Sequence, residues 1–361
     1  MLNKVLVKDL GKKDNLLNFN LKKMIDFMIK LGEKKFRAVQ MMEWIYKKYK
    51  KKFNKMSNLS RPLQTQLEQI AIIQLPKCVT KKKSQDGTIK WIFLLNTDCI
   101  ETIYIPEGNR ATLCISSQAG CMLKCSFCAT GHLGYKRNLL VSEIIGQIWY
   151  ATDKIRKYKL KNSSLPLVTN IVMMGMGEPL LNLKNIITSL DIILSKNAFN
   201  FSKNKVTLST SGIVPAINKI AGKIDISLAI SLHASNDNIR NTLMPINKIY
   251  NIKQLLLSVK NYLNYSTANR GIVTIEYIML SDINDHLLHA KELAYLLKTI
   301  PCKINLIPWN VIQNTHYKCS THEKIISFSN FLRSQNYTVT IRKNRGADIN
   351  AACGQLIGQK H

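Results

Sequence analysis

From residue 111 to residue 343, short β-branched runs alternate with amphipathic stretches, and this alternation admits very few folds. The runs are 111–116, 170–174, 205–209, 224–231, 272–280, 303–308 and 337–343. Between them, 142–157, 183–195, 252–263, 285–298 and 323–335 carry apolar residues at helical spacing. Strands separated by helices pair most simply in parallel through right-handed crossovers. The series predicts an α/β fold, a partial (βα)6-type barrel, with its chemistry in the loops that follow the strands. At 361 residues the chain has room for smaller units as well. The expected division is a helical accessory domain over 1–75, a β-meander linker over 76–106, the barrel over 107–345, and a catalytic loop and tail over 346–361.

Ahead of the barrel, residues 36–49 place Phe36, Val39, Met42, Ile45 and Tyr49 at helical spacing. A second helix is expected over 60–73, with Ser60 as N-cap and Pro62 in the first turn. Lysines with Tyr49 and Phe53 interleaved fill 47–55, a composition that suits a nucleic-acid backbone and equally a solvated helix face. Asp86-Gly87 is a hairpin signal between strands 78–83 and 88–95, and a third strand is expected over 99–105. Glu101 lies in that third strand on one face with Ile103 and Ile105, which allows a partly buried, proton-handling carboxylate or a plain outward-facing one.

The chain carries 52 Lys and Arg against 22 Asp and Glu, a formal charge of +30. Such an excess favours a polyanionic partner, RNA or DNA first. Lysine far outnumbers arginine and Asn and Ile are abundant, as A/T-biased codon usage would also produce, so part of the charge needs no partner. No apolar run approaches the roughly 20 residues of a membrane span. The apolar character of residues 1–9 is broken every few positions, unlike a secretory signal. Nine unevenly spaced cysteines do not form a disulfide framework, and the expected location is the reducing cytoplasm. Cys78, Cys99, Cys302 and Cys319 are expected to be buried small hydrophobes.

Cys121, Cys125 and Cys128 are different, because three thiols fall within eight residues. Thiolates are the soft ligands that iron–sulfur clusters and zinc prefer. Three cysteines would leave one iron of a four-iron cluster open to a small molecule. Adding His132 instead gives a Cys3His zinc site, and the eight residues alone leave both readings open.

The loops after the other strands share this chemical character. Gly175 and Gly177 allow close backbone approach, and Glu178 beside them can accept from an ammonium group. Ser209, then Ser231, Leu232 and His233, then Trp309 and Asn310, close three further strands. In the last loop Cys353 sits among small residues downstream of Arg342, Lys343 and Arg345, whose charge favours a nucleophilic thiolate or holds phosphates.

The Cys121–Cys125–Cys128 spacing resembles that of radical S-adenosylmethionine (SAM) enzymes. Over nearly its whole length the chain resembles bacterial dual-specificity 23S rRNA/tRNA adenine-C2 methyltransferases. The resemblance is carried by residues 36–46, 86–93, 101–106, 110–137, 174–182, 208–215, 228–234, 243–247, 305–310 and 345–356. It implies a [4Fe–4S] cluster on Cys121, Cys125 and Cys128, and SAM contacts from Gly177, Glu178, Ser209, Ser231, Leu232, His233 and Asn310. It implies that Cys353 is methylated by one SAM and that a second SAM supplies a radical, which converts the methylated sulfur into a carbon radical that adds to adenine C2. Cys114 would resolve the protein–RNA adduct, leaving a transient disulfide with Cys353, and Glu101 would accept the C2 proton. A monomer is expected, acting on 23S rRNA and on the tRNA adenosine 3′ of the anticodon, with a flavodoxin-type electron donor. Three alternatives are the related adenine-C8 methyltransferases of the antibiotic-resistance type, a superfamily member acting on a protein or metabolite, and a zinc-bearing RNA-binding protein.

Overall fold

The computed structural model describes residues 13–160, 165–312 and 315–358. The stretch read above as no secretory signal lies outside them. Strands β1 (Asp14–Asn15) and β2 (Ala71–Ile72) pair in parallel and bracket three helices, α1 (Leu21–Lys30), α2 (Phe36–Tyr46) and α3 (Arg61–Ile70). Helix α1 was not expected. Asn20 caps it by accepting from Lys23 N, and Met24 and Met28 are its fully buried positions. Helix α2 ends before Tyr49, whose φ of 53° is left-handed, and it buries Met41, Trp44 and Ile45 while leaving Phe36 exposed. Ser60 stands at the N-cap of α3, but its side chain makes no capping bond.

Strands β3 (Lys77–Lys83), β4 (Ile89–Leu95) and β5 (Asp98–Glu107) form the antiparallel meander. It continues into the main sheet, because β5 pairs antiparallel with β6 (Arg110–Cys114), with Ile103 opposite Cys114. A hairpin of β7 (Gln118–Gly120) and β8 (Tyr135–Asn138) flanks the short α4 (Ala129–His132). The chain then alternates through α5 (Val141–Leu160), β9 (Asn170–Met173), α6 (Leu183–Leu194), β10 (Val206–Thr210), α7 (Val214–Ile220) and β11 (Ser227–Ser231). It continues through α8 (Asp237–Leu243), α9 (Ile252–Leu263), β12 (Val273–Met279), α10 (Leu287–Leu297), β13 (Cys302–Pro308), α11 (His322–Ser334) and β14 (Thr338–Ile341).

Among the described residues these strands make one ten-stranded sheet in the order β14-β13-β12-β11-β10-β9-β6-β5-β4-β3. From β6 to β14 every neighbouring pair is parallel, so six strand–helix units are followed by a closing strand. The segment after β14 turns back to the meander, where Gly346 N donates to Asp86 Oδ2 at 3.0 Å. Strand β11 starts three residues later than expected. The backbone at 224–226 is bonded by the Tyr262 hydroxyl, which donates to Ile226 O at 2.8 Å and accepts from Ile226 N at 3.2 Å. None of the described helices is long and apolar enough to cross a membrane.

Candidate active site

The cysteine loop leaves the hairpin at Gly120, whose φ is +72° and where a Cβ would lie 1.9 Å from Gly134 O. Only glycine fits there. Cys121 N then donates to Gly134 O, Lys124 takes a left-handed φ of 53°, and Cys128 N returns to Cys125 O. At Gly131 a Cβ would meet Cys125 O at 2.9 Å, so a small residue lets α4 pack directly on the loop. Cys121, Cys125 and Cys128 line one cavity of about 150 Å3 together with Gly177, Glu178, Ser209, Ser231, His233 and Cys353. Nine residues singled out in the sequence thus converge on one space.

The glycines serve a purpose the sequence did not show. A Cβ at Gly175 would meet Ile115 O at 2.7 Å, and one at Gly177 would meet Gln118 Cβ at 2.4 Å. They admit the chain segment after β6, as well as any ligand. Glu178 is buried, with Oε1 accepting from Leu180 N at 3.0 Å and Oε2 from Ser211 N at 2.8 Å. Burial raises its pKa, partly offset by these bonds. A carboxylate has about four acceptor sites, so capacity remains for a cationic ligand.

His233 sits at a left-handed φ of 58°, accepts from Ile278 N through Nδ1 at 3.0 Å, and packs edge-on against Phe127. Burial, and then the nearby Arg240 charge, lower its pKa to about 3, so it is a neutral acceptor. Arg240 was missed in the sequence. Its side chain is fully buried and donates to Leu232 O, Ser211 O, Ser231 O and Asn247 Oδ1. One guanidinium thereby ties together the loops that follow β10 and β11. Leu232 is fully buried and does not line the cavity; its carbonyl serves as an anchor for Arg240.

Cys114 and Cys353 line a smaller cavity of about 80 Å3, which shares Cys128, Thr130 and Arg342 with the first. Both are free thiols. Burial pushes the Cys114 thiol up to about 12. Arg342 borders both of these cavities and a polar one of about 520 Å3, and the Cys353 charge raises its pKa. Lys343 and Arg345 border only the polar cavity, where Asn310 also lies, donating through Nδ2 to Cys353 O at 3.2 Å. Glu276, also missed, borders the first cavity and the polar one and accepts from Asn305 Nδ2 at 2.7 Å. It carried the same signal as Glu101, an acid inside an apolar strand. Glu101 borders none of the three; its carboxylate meets Lys90 and the C-terminal segment.

Two other expectations change. Tyr49 packs edge-on against Trp149 and Phe53 is buried, so neither aromatic is presented for base stacking, whereas Lys47, Lys48, Lys50, Lys51 and Lys52 are exposed. Cys78, Cys99 and Cys302 are half-buried and Cys319 is exposed, because Cys319 contacts the Leu280 segment through its backbone.

The donor set decides between a cluster and zinc. Tetrahedral zinc with bonds of about 2.3 Å holds its ligand atoms within about 4 Å of one another. Among the described residues, the only three metal-binding side chains that come within 4.8 Å of one another are Asp282, Asp285 and His286, where Lys324 already supplies a cation. The thiols of Cys121, Cys125 and Cys128 line one cavity without all lying that close to one another, which a four-iron cluster accommodates, and His132 turns Nε2 to Ser126 O at 3.0 Å. Burial pushes the Cys121 thiol up to about 12 and raises Cys125 and Cys128 too, so bound metal must stabilise the thiolates. The residues fit a [4Fe–4S] cluster.

The parallel sheet and its thiol loop define a radical SAM enzyme, the class whose cofactors are a [4Fe–4S] cluster and SAM. The radical SAM superfamily model matches residues 115–294, and the model for the ribosomal RNA large subunit methyltransferase N-terminal domain matches 14–73. The dual-specificity RNA methyltransferase RlmN of Buchnera aphidicola subsp. Cinara cedri is 71% identical over 96% of each chain. That of Wigglesworthia glossinidia brevipalpis is 54% identical over 96% of this chain and 91% of its own. A crystal structure of a radical SAM methyltransferase from Sphaerobacter thermophilus superposes with a TM-score of 0.88, at 34% identity, over 96% of this chain and all of that one. The chain belongs to the dual-specificity RNA methyltransferase RlmN family.

Proposed function

We propose that this protein methylates C2 of adenosine in 23S rRNA, at the peptidyl-transferase centre, and in tRNA, at the adenosine 3′ of the anticodon. The observation that carries the reading is the cavity shared by Cys114 and Cys353, which adjoins the one lined by Cys121, Cys125 and Cys128. When bound on those three thiols and against Gly177, Glu178, Ser209, Ser231, His233 and Asn310, the cluster and SAM supply a methyl group and one-electron chemistry. Leu232 supports that SAM pocket through its backbone. Cys353 carries the carbon, since adenine C2 is not a nucleophile and cannot take a methyl group by direct displacement. Glu101 accepts the proton that C2 loses. Once the adduct has also given up its unpaired electron to a one-electron acceptor, the Cys114 thiolate attacks the Cys353 sulfur. The S–S bond forms as the bond from that sulfur to the transferred carbon breaks. The electron pair goes to the carbon, which takes up a proton to become the methyl group, and a disulfide is left between the two cysteines. Arg342, at the junction of the cavities, holds the sulfurs in a positive field.

In this reading residues 1–75 and their exposed lysines bind RNA, 76–106 join them to the barrel of 107–345, and 346–361 carry Cys353. The protein acts as a cytoplasmic monomer with a flavodoxin-type electron donor. The test is nucleoside mass analysis of rRNA and tRNA treated with reconstituted enzyme, SAM and reductant. We expect 2-methyladenosine from the wild type, none from Cys353→Ala, and a covalent protein–RNA species from Cys114→Ala. An 8-methyl product, or normal turnover by Cys114→Ala, overturns the corresponding assignment.

A further inference from the structure

Lys90 has no assigned role, yet it is one of the least exposed lysines a fold can hold, at 3%. On β4 it lies opposite Ile103 of β5, which lies opposite Cys114 of β6. Side chains at paired positions emerge on one face of a sheet, and so do those two apart along a strand. Lys90, Cys114 and Glu101 therefore share a face. Lys90 Nζ donates to Asn350 O at 2.8 Å and stands 3.2 Å from Glu101 Oε2. Glu101 Oε1 accepts from Ile357 N at 3.2 Å and Gly358 N at 2.8 Å. The pair thus grips the chain on both sides of Cys353. The Oε2 contact is off the hydrogen-bond direction, so that oxygen accepts no hydrogen bond. A buried ion pair is often no more stable than apolar residues of the same volume, so stability alone does not account for this one.

We infer that Lys90 is a positioning residue, joining the Glu101 carboxylate to the loop that presents Cys353. The inference rests on the functional reading above for the roles of those two residues. Lys90 holds the Asn350 carbonyl, Glu101 holds the amides beyond Cys353, and the charge between them keeps the two grips in one arrangement. Oε2 faces the Lys90 ammonium and accepts no hydrogen bond in this arrangement.

The test compares full-length holoenzyme with Lys90→Met, Lys90→Arg and Glu101→Gln. Iodoacetamide labelling of Cys353 is read by peptide mass mapping, with Cys302 as the control for global loosening, alongside kcat and KM for RNA. In Lys90→Met we expect Cys353 to label about tenfold faster, as when a charge-assisted hydrogen bond on a loop is removed. We expect kcat to fall at least about tenfold with KM for RNA little changed, since misplacement rather than binding is at fault. Lys90→Arg restores most of both, and Glu101→Gln also speeds labelling of Cys353. Either change without the other in Lys90→Met, or Cys302 labelling that rises in step, overturns the inference. If Lys90→Met does not fold, unchanged Cys353 labelling in Glu101→Gln overturns it. Wild-type enzyme that leaves RNA unmethylated refutes the functional reading instead, and the labelling still decides whether Lys90 holds the loop.

Discussion

At the scale of single residues, the site depends on polar side chains withdrawn from water and given fixed partners. His233 shows the consequence for pH. Its unfolded pKa is near 6.5, whereas burial holds the folded value at about 3. Between those values the unfolded chain binds a proton that the folded chain refuses, so stability rises with pH there. The contribution is complete above about pH 6.5 and is lost as pH falls toward 3, with a slope of at most ~1.4 kcal/mol per pH unit. We expect His233→Asn to reduce this acid sensitivity, since asparagine tolerates the left-handed φ and does not titrate in that range. Urea unfolding of wild type and variant at a series of pH values checks it. Parallel curves from pH 7 to pH 4 would contradict it.

Elements are placed by contacts that propensity does not report. Helix α5 carries Gly146 in its interior, where alanine would favour the helix by about 1 kcal/mol. A Cβ there would meet Pro76 Cδ at 2.3 Å, and a proline ring cannot swing aside. The glycine lets the residue leading into β3 lie against α5. We expect Gly146→Ala to destabilise the fold by about 1–2 kcal/mol, overpacking exceeding the helical gain. Thermal unfolding should show Tm lower by a few degrees. An unchanged or higher Tm would mean that Pro76 yields. Other placements are equally non-local. Gln147 of α5 joins Thr102 of β5 to both backbone groups of Ser116, fixing where β6 ends and the cysteine loop begins. Arg240 likewise secures the ends of β10 and β11.

Across the whole molecule, a formal charge of +30 suits an RNA partner. With Tyr49 half-buried against Trp149 and Phe53 buried, the lysines between and around them are the exposed part of that segment. Binding there should be mainly electrostatic, carried by counterion release from the RNA. We expect Lys50→Gln, Lys51→Gln and Lys52→Gln together to weaken RNA binding and flatten its salt dependence. The slope of log K against log[salt] should fall by about 0.7–0.9 for each RNA phosphate that is no longer neutralised. A slope equal to that of the wild type, measured by fluorescence anisotropy over a salt series, would remove this segment from the interface.

The parallel core and the cluster ligands were legible in the sequence because both are written locally. A buried parallel strand needs a β-branched run, and a cluster loop needs closely spaced thiols, so β6, β9–β14 and Cys121, Cys125 and Cys128 could be read directly. The short helices α7 and α8 escaped because seven residues hold too few turns to show a period. The pairing of Cys114 with Cys353 followed from the family resemblance and from no local pattern; the tertiary structure brings both to one cavity and places Arg342 beside them. It alone revealed Arg240 bonding to carbonyls on separate loops and Lys90 reaching a carbonyl 260 positions away. These bonds end on backbone atoms, which every residue type possesses, so no side-chain pattern at the receiving end could have announced them.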